Sequence, residues 1–270
     1  MKRWIVVAVS HKYAKSILSK ASGFADSFDY TLNPYSGCAF ACSYCYAAFF
    51  AATDELKESW GEWVHVKENA LQLLRKKRAR PLIGQSVYMS SVTDPYQPVE
   101  RQLELTRSIL RELLDYHQVR LVVQTRSPLV TRDLDLLAQF ETARVNMTIT
   151  TDDETVRRLF EPTCASIPQR LNAIREVVEA GVAASITMTP LLPVTDPHAF
   201  ATMLKATGVQ RFVTQHFHPA NRRFVAGTGE RARLLLRERN WDEAHYEAVR
   251  EILQRELPNL SEGRDGFVPD

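Results

Sequence analysis

From residue 28 onward the chain alternates short strand-like runs with longer amphipathic ones, and this alternation restricts the fold more than any other feature. Spans 28–32, 86–92, 119–125, 144–150, 183–188 and 209–216 are rich in β-branched and apolar residues at strand length. Between them, 66–79, 99–116, 131–140, 152–160, 168–180 and 197–206 carry apolar residues at helical spacing. Thr131 is placed to cap one of these helices and Gly181 to end another. Such alternation builds parallel βαβ units. Six units fall short of the eight that close a full barrel. The expected fold class is therefore α/β, an open partial (β/α)6 barrel of TIM type. The Arg- and Glu-rich stretch after it predicts a helical C-terminal extension, and the tail from Pro258 reads as loop. The domain reading is a barrel with its N-terminal extension over 1–220 and a helical segment over 221–270 packed on it.

A chain of 270 residues suits one large domain of this kind. With 45% hydrophobic and 24% charged residues it can form a full core. A net charge of +2 supplies no global field directed at nucleic acid. No apolar run reaches the length of a bilayer span, so no membrane partner is expected. The apolar run after Met1-Lys2-Arg3 ends by Ser10-His11-Lys12, too short for a signal sequence. Three of the four cysteines are clustered, which argues against a disulfide framework and for reduced thiols. A cytoplasmic localisation is expected on that ground.

The clustered cysteines, Cys38, Cys42 and Cys45, form a C-x3-C-x2-C run. Three thiolates can hold three irons of a [4Fe–4S] cluster and leave the fourth open to chemistry. Phe40, Tyr44 and Tyr46, with Ala39 and Ala41, supply bulk to shield such a group and room for the backbone to wrap it. A structural zinc site is the plainer alternative, yet zinc prefers four closed ligands. Cys164 lies far off in sequence, and His11 and His65 lack zinc-finger spacing.

That spacing, with an aromatic residue before the third cysteine, resembles the defining motif of the radical S-adenosylmethionine (radical SAM) enzymes. Further blocks resemble the branch related to spore photoproduct lyase, in the same order. They are Asn33-Pro34-Tyr35, Gly37, Cys45-Tyr46-Ala47 and the stretch from Ser90 to Pro98. Thr125-Arg126-Ser127 with Arg132-Asp133, and Glu161-Pro162 with Arg170-Leu171, complete the set. The resemblance implies an enzyme with two cofactors, a [4Fe–4S] cluster on Cys38, Cys42 and Cys45, and S-adenosyl-L-methionine. Reductive cleavage of the latter would give methionine and a 5′-deoxyadenosyl radical that takes hydrogen from a substrate. It also implies where S-adenosylmethionine would sit. The backbone near Tyr44 would meet adenine; Ser90, Ser91 and Asp94 would meet the amino group. Arg126 would pair with the methionyl carboxylate, and Thr148 and Thr150 with the ribose. These residues follow strand ends, where barrel enzymes keep their sites. A reductant such as flavodoxin or ferredoxin is an implied partner. No residue acting on the substrate is assigned.

Several features carry two readings. Ser90, Thr93 and Asp94 before Pro95 also suit a turn that caps the next helix. The basic run Arg75-Lys76-Lys77-Arg78-Ala79-Arg80 is either a solvated helix end or a phosphate-binding footprint. The arginines at 222, 223, 231, 233, 237 and 239 are interspersed with Glu230 and Glu238 and are weaker evidence. His216 and His218 share one strand face and point either at a substrate cavity or at structural partners. Cys164 reads as a loop or half-buried thiol, with a redox or ligand role as the alternative. Trp241 and Tyr246 read as core anchors. The substrate stays open among peptide, nucleoside, nucleic acid and small metabolite. Lesion repair of the spore photoproduct lyase kind is one alternative. That lyase quenches its product radical with a cysteine where this chain has Ser90-Ser91-Val92-Thr93-Asp94, and a hydroxyl is a poor hydrogen-atom donor beside a thiol. A non-enzymatic iron–sulfur electron carrier or redox sensor is the other alternative. With Cys164 as the one spare cysteine, a second all-cysteine cluster cannot be built.

Overall fold

The computed structural model describes residues 7–217 and 230–270. The chain opens with strands β1 (Ala8–Lys12), β2 (Leu18–Lys20), β3 (Tyr30–Leu32) and β4 (Tyr35–Ser36). Helix α1 (Asp54–Glu58), strand β5 (Trp63–Lys67), helix α2 (Ala70–Arg75) and strand β6 (Ser86–Met89) follow. Helices α3 (Glu100–Leu103) and α4 (Leu105–Tyr116) lead to strand β7 (Arg120–Thr125), helix α5 (Leu134–Leu137) and strand β8 (Ala143–Thr148). Next come helices α6 (Glu154–Phe160) and α7 (Ile167–Glu179), strand β9 (Ala183–Met188), helix α8 (Pro197–Lys205) and strand β10 (Phe212–Thr214). Helices α9 (Glu230–Glu238) and α10 (Glu243–Glu256) and strand β11 (Leu260–Glu262) complete the described elements.

One eight-stranded sheet runs in the order β11-β10-β9-β8-β7-β6-β3-β2. Its six middle strands are mutually parallel and are the six expected from the sequence. The end strands β2 and β11 do not pair with each other, so the barrel is open. Alternation sorts its side chains. Leu121, Val123, Val145, Met147, Ile186 and Met188 face the surrounding helices in the main core. Gln124, Asn146 and Ser185 lie in register on the inner face. The lumen is polar: Gln124 Nε2 donates to Thr148 Oγ1 at 2.8 Å and Thr187 Oγ1 at 3.0 Å, and Gln124 Oε1 accepts from the Tyr88 hydroxyl at 2.8 Å.

The lower end of the barrel is sealed. Phe24, Phe28, Tyr88 and Phe267 pack edge to face beneath the lumen. A Cβ on Gly266 would lie 2.4 Å from Val213, so the C-terminal backbone presses directly on the inner face of β10. The buried Arg144 guanidinium pairs with the Asp270 carboxylate and donates to Val268 O at 2.6 Å. Chemistry is left to the opposite end, where the strands stop and the loops begin.

The structure departs from the sequence reading in four places. Residues 66 and 67 belong to β5, because β1 and β4 flank that strand and take its backbone into a second sheet of order β1-β5-β4. The helix expected over 99–116 is broken at Glu104, whose φ of 48° is left-handed. Thr131 does not cap a helix. Pro128 starts a 3-10 turn earlier, over Pro128–Asp133, and the Ser127 side chain caps it by accepting from Leu129 N. The tail beyond Pro258 is not all loop, since β11 adds to β10 in parallel. Gly181 ends α7 as expected, with φ of 76°. The expected boundary at 220/221, and with it His218, Arg222 and Arg223, lies outside the described residues.

Candidate functional site

The cysteine run leaves β4 through a turn that only glycine can make. Gly37 has φ of +76°, and a Cβ there would come within 2.5 Å of the Trp63 ring and carbonyl. Gly61 lies against the loop from the other side, where a Cβ would strike Ala41 Cβ at 2.4 Å. Neighbouring elements then fix the loop. Thr93 Oγ1 donates to Gly37 O at 2.7 Å, and Ala39 N donates to Gln97 Oε1 at 3.0 Å. From the end of α6, Phe160 O accepts from Ser43 N at 2.8 Å, and Thr163 Oγ1 donates to Ala39 O at 2.7 Å.

Cys38 and Cys42 are buried, Cys45 is half-buried, and all three are free thiols. Burial, Asp94 and the other two thiols push the Cys38 thiol well up. Burial and Cys42 push Cys45 up to about 12. At Cys42 burial acts in the same direction, but the hydrogen bond with Cys164 and the Arg126 charge outweigh it and hold the thiol below its ordinary value. Three thiols in mutual electrostatic range cannot ionise together without a cation, and a bound metal supplies that charge. Among the described residues no three His, Cys, Asp or Glu side chains close around one point tightly enough for a single metal ion. A cubane asks for something else, one thiolate at each of several separated irons. A donor set of three spaced thiols fits it.

Beside this loop Glu161 forms a buried hub. Its Oε1 accepts from the Tyr44 hydroxyl, from Thr150 Oγ1 at 3.0 Å and from Arg126 NH1 at 3.2 Å. Its Oε2 pairs with Arg170, and neither side chain of this pair is exposed. Burial alone would raise the Glu161 carboxyl, but Arg170 and Arg126 outweigh it and hold it down at about 2. Sequence reasoning quoted Glu161 and Arg170 only within a motif and gave them no role. The local signal was an acidic residue directly after α6, at the mouth end of the barrel.

The candidate cofactor residues divide in two. Tyr44, Arg126 and Thr150 meet at Glu161, and Arg126 NH1 also lies 3.0 Å from Cys42 Sγ. Ser90, at the end of β6, has φ of 74° and a buried hydroxyl without a hydrogen-bond partner. A strained residue holding an unsatisfied hydroxyl at the mouth fits a ligand contact. Asp94, by contrast, already accepts three hydrogen bonds within the protein. Its Oδ1 accepts from Tyr96 N at 2.9 Å and Thr125 Oγ1 at 2.8 Å, and its Oδ2 from Arg126 N at 2.9 Å. It therefore makes the turn that the sequence also allowed, and it orients Arg126. Ser91 sits beside Asn33, whose Nδ2 donates to its hydroxyl at 3.3 Å. Thr148 is not brought to the hub but stands in the lumen with Gln124 and Thr187.

Other singled-out residues fall elsewhere. In the basic run, Arg78 makes a double hydrogen bond to Glu112, at 2.7 and 2.6 Å, and stacks on Tyr116. That run precedes β6 and so lies at the sealed end of the barrel, away from the thiols. The His216 ring packs 4.7 Å from Tyr246. It lines a cleft of about 230 Å³ with Phe217, Arg233, Arg237 and Trp241, and Phe217 in turn meets the Tyr44 ring edge-on at 6.2 Å. Cys164 is buried rather than half-exposed, and its sulfur lies 3.8 Å from that of Cys42. The chain folds back to bring together thiols that are 122 positions apart.

Comparison with known proteins gives the family and the fold. The family model described as the radical SAM superfamily matches residues 32–206. An uncharacterised protein of Methanocaldococcus jannaschii is 36% identical over 164 residues, covering 61% of this chain and 61% of that protein. An uncharacterised protein of Mycobacterium bovis is 31% identical over 191 residues, 66% of this chain and 54% of the other. The chain thus spans little more than half the length of these relatives. The solved structure of a spore photoproduct lyase variant superposes with a TM-score of 0.63 at 17% identity, over 94% of this chain and 81% of that one. A lyase variant with bound S-adenosylmethionine and a dinucleoside spore photoproduct gives 0.61 at 15% identity, over 95% and 81%. At such identity the likeness is one of fold.

Proposed function

The chain belongs to the radical SAM superfamily, and from that premise we propose that it is an enzyme that reductively cleaves S-adenosylmethionine. The observation that carries the proposal is the meeting of three free thiols, Arg126 and the Glu161 hub at the open end of the barrel. Cys38, Cys42 and Cys45 would hold the [4Fe–4S] cluster. When bound, the cluster supplies the electron and S-adenosylmethionine the 5′-deoxyadenosyl group that takes hydrogen from the substrate. The protein's own part is to bind, orient and exclude water. Arg126 is the cation for the methionyl carboxylate, its backbone held by Asp94 and its head by Glu161. The unpartnered Ser90 hydroxyl is placed to accept from the amino group. Thr150 and the backbone at Tyr44 remain the candidates for ribose and adenine. Ser91 is a further polar group at the same strand end. Thr148, already bonded to Gln124 and Thr187 in the lumen, is the further candidate for the ribose.

The substrate is unidentified. Lesion repair on nucleic acid is a second reading, supported by the fold likeness over most of the chain. Against it, the end of β6 presents serines rather than a thiol, and Cys164 points its sulfur at Cys42 instead. The cleft beside Phe217 is lined by Arg233 and Arg237 but also by Asp242 and Glu243, so its charges balance and it favours no charge class of substrate. A reductant of flavodoxin or ferredoxin type is the implied partner. No helix among the described residues is long and apolar enough to cross a membrane.

The test is product formation. Anaerobically reconstituted protein given dithionite and S-adenosylmethionine should release 5′-deoxyadenosine. A yield no higher than that of Cys42→Ala would leave the iron–sulfur carrier as the better description.

A further inference from the structure

Residues 160–164 dock along the cluster loop as a continuous strip. Ser43 N donates to Phe160 O, the Tyr44 hydroxyl to Glu161, and Thr163 Oγ1 to Ala39 O. At the end of the strip Cys164 Sγ lies 3.8 Å from Cys42 Sγ. Cys164 is itself pinned. Its N–H donates to Glu161 O at 3.2 Å, and its carbonyl accepts from Arg157 NH1 at 3.0 Å. Both sulfurs are buried, so water does not compete for the contact.

We propose that Cys164 is a positioning residue for the cluster, its thiol donating a hydrogen bond to the Cys42 sulfur and raising the cluster's reduction potential. The inference rests on the proposed function only in taking Cys42 as a cluster ligand. A Cys42 bound to iron has no proton, so the donor of the pair is Cys164. The other acceptor near its sulfur is the neutral Phe40 carbonyl at 3.8 Å, and an anionic thiolate is the stronger acceptor. Hydrogen bonds to cluster sulfurs stabilise the reduced, more negative state more than the oxidised one. Among the described residues Cys42 is also the one cluster cysteine whose sulfur is met by donating side chains, Cys164 and Arg126. The cluster would therefore be held asymmetrically, with one corner hydrogen-bonded.

The experiment compares wild type, Cys164→Ala and Cys164→Ser after anaerobic reconstitution, by iron content and by potentiometric titration followed by electron paramagnetic resonance. Full iron loading in all three, a more negative midpoint in Cys164→Ala and a return toward wild type in Cys164→Ser are expected. An unchanged midpoint in Cys164→Ala overturns the inference. So does an equal shift in both variants, which would mean lost packing, and so does loss of iron in Cys164→Ala, which would make Cys164 a ligand. Diamide treatment of the cluster-free chain reads the geometry without any cofactor. Each disulfide forms as diamide takes up two hydrogens, and peptide mapping should find Cys42 joined to Cys164. Bridges confined to Cys38, Cys42 and Cys45 would overturn the placement. If the wild type takes up no iron at all, the proposed function fails, and that result is distinct from these.

Discussion

The Tyr44 hydroxyl, inside the cysteine loop, donates its hydrogen bond to Glu161, which lies 117 positions later in the chain. With the bonds of Ser43 and Thr163, it ties the cysteine loop to the segment that follows α6. Glu161 also holds Arg126 and Arg170, so the cluster loop, the proposed carboxylate-binding cation and a buried counter-cation share one carboxylate. Position and charge at the mouth are set together.

That sharing makes the fold acid-sensitive. The Glu161 carboxyl is depressed from 4.5 to about 2. A depressed carboxylate contributes stability that is complete above its unfolded value and is lost as pH falls through the folded one. Urea unfolding of the cluster-free protein should lose on the order of 3 kcal/mol between about pH 5 and pH 2 from this group. Glu161→Gln should flatten that part of the profile. Glu161→Ala, which strands Arg170 in the core, should cost about 3–5 kcal/mol at neutral pH.

Arg126→Ala should separate cofactor binding from cluster assembly. Losing a charge-assisted bond to a carboxylate costs about 1.5–3 kcal/mol, roughly a 10- to 150-fold weaker affinity for S-adenosylmethionine. Iron content should stay near that of wild type. Equilibrium dialysis against labelled S-adenosylmethionine checks the first point, and unchanged affinity would remove Arg126 from the site.

Ser90 offers a cleaner test, because its hydroxyl has no protein partner to lose. Ser90→Ala should leave thermal stability equal or higher while weakening S-adenosylmethionine binding by about 1 kcal/mol. Ser90→Gly should add about 1 kcal/mol of stability by relaxing the left-handed backbone, with the same loss of affinity. A stability loss in Ser90→Ala would mean that the hydroxyl is structural.

Cys42→Ala should abolish the cluster, where wild type takes up about four irons per chain. Iron analysis and the visible absorption of the reconstituted protein read this directly. A cubane of normal intensity in the variant would refute the ligand set.

The period of the chain was enough to foresee an open barrel of six parallel strands, because each strand is a run whose apolar residues must be covered and each helix has a face to cover them. Local spacing likewise marked Cys38, Cys42 and Cys45, since three ligands within one loop need no long-range information. What the pattern could not carry was every contact made across the barrel mouth. Glu161 and Arg170 have no assigned role in the sequence, and their burial comes from tertiary packing, Glu161 against Tyr44 of the cysteine loop and Arg170 against the end of β8. The spare thiol of Cys164 appeared remote until the chain closed on itself. The partners of Asp94 across the mouth, Thr125 Oγ1 and Arg126 N, were likewise invisible in the sequence. Periodicity and short motifs are local properties and can be read along a line. Which buried polar atoms find partners depends on distances between segments far apart in the chain, and packing alone decides those.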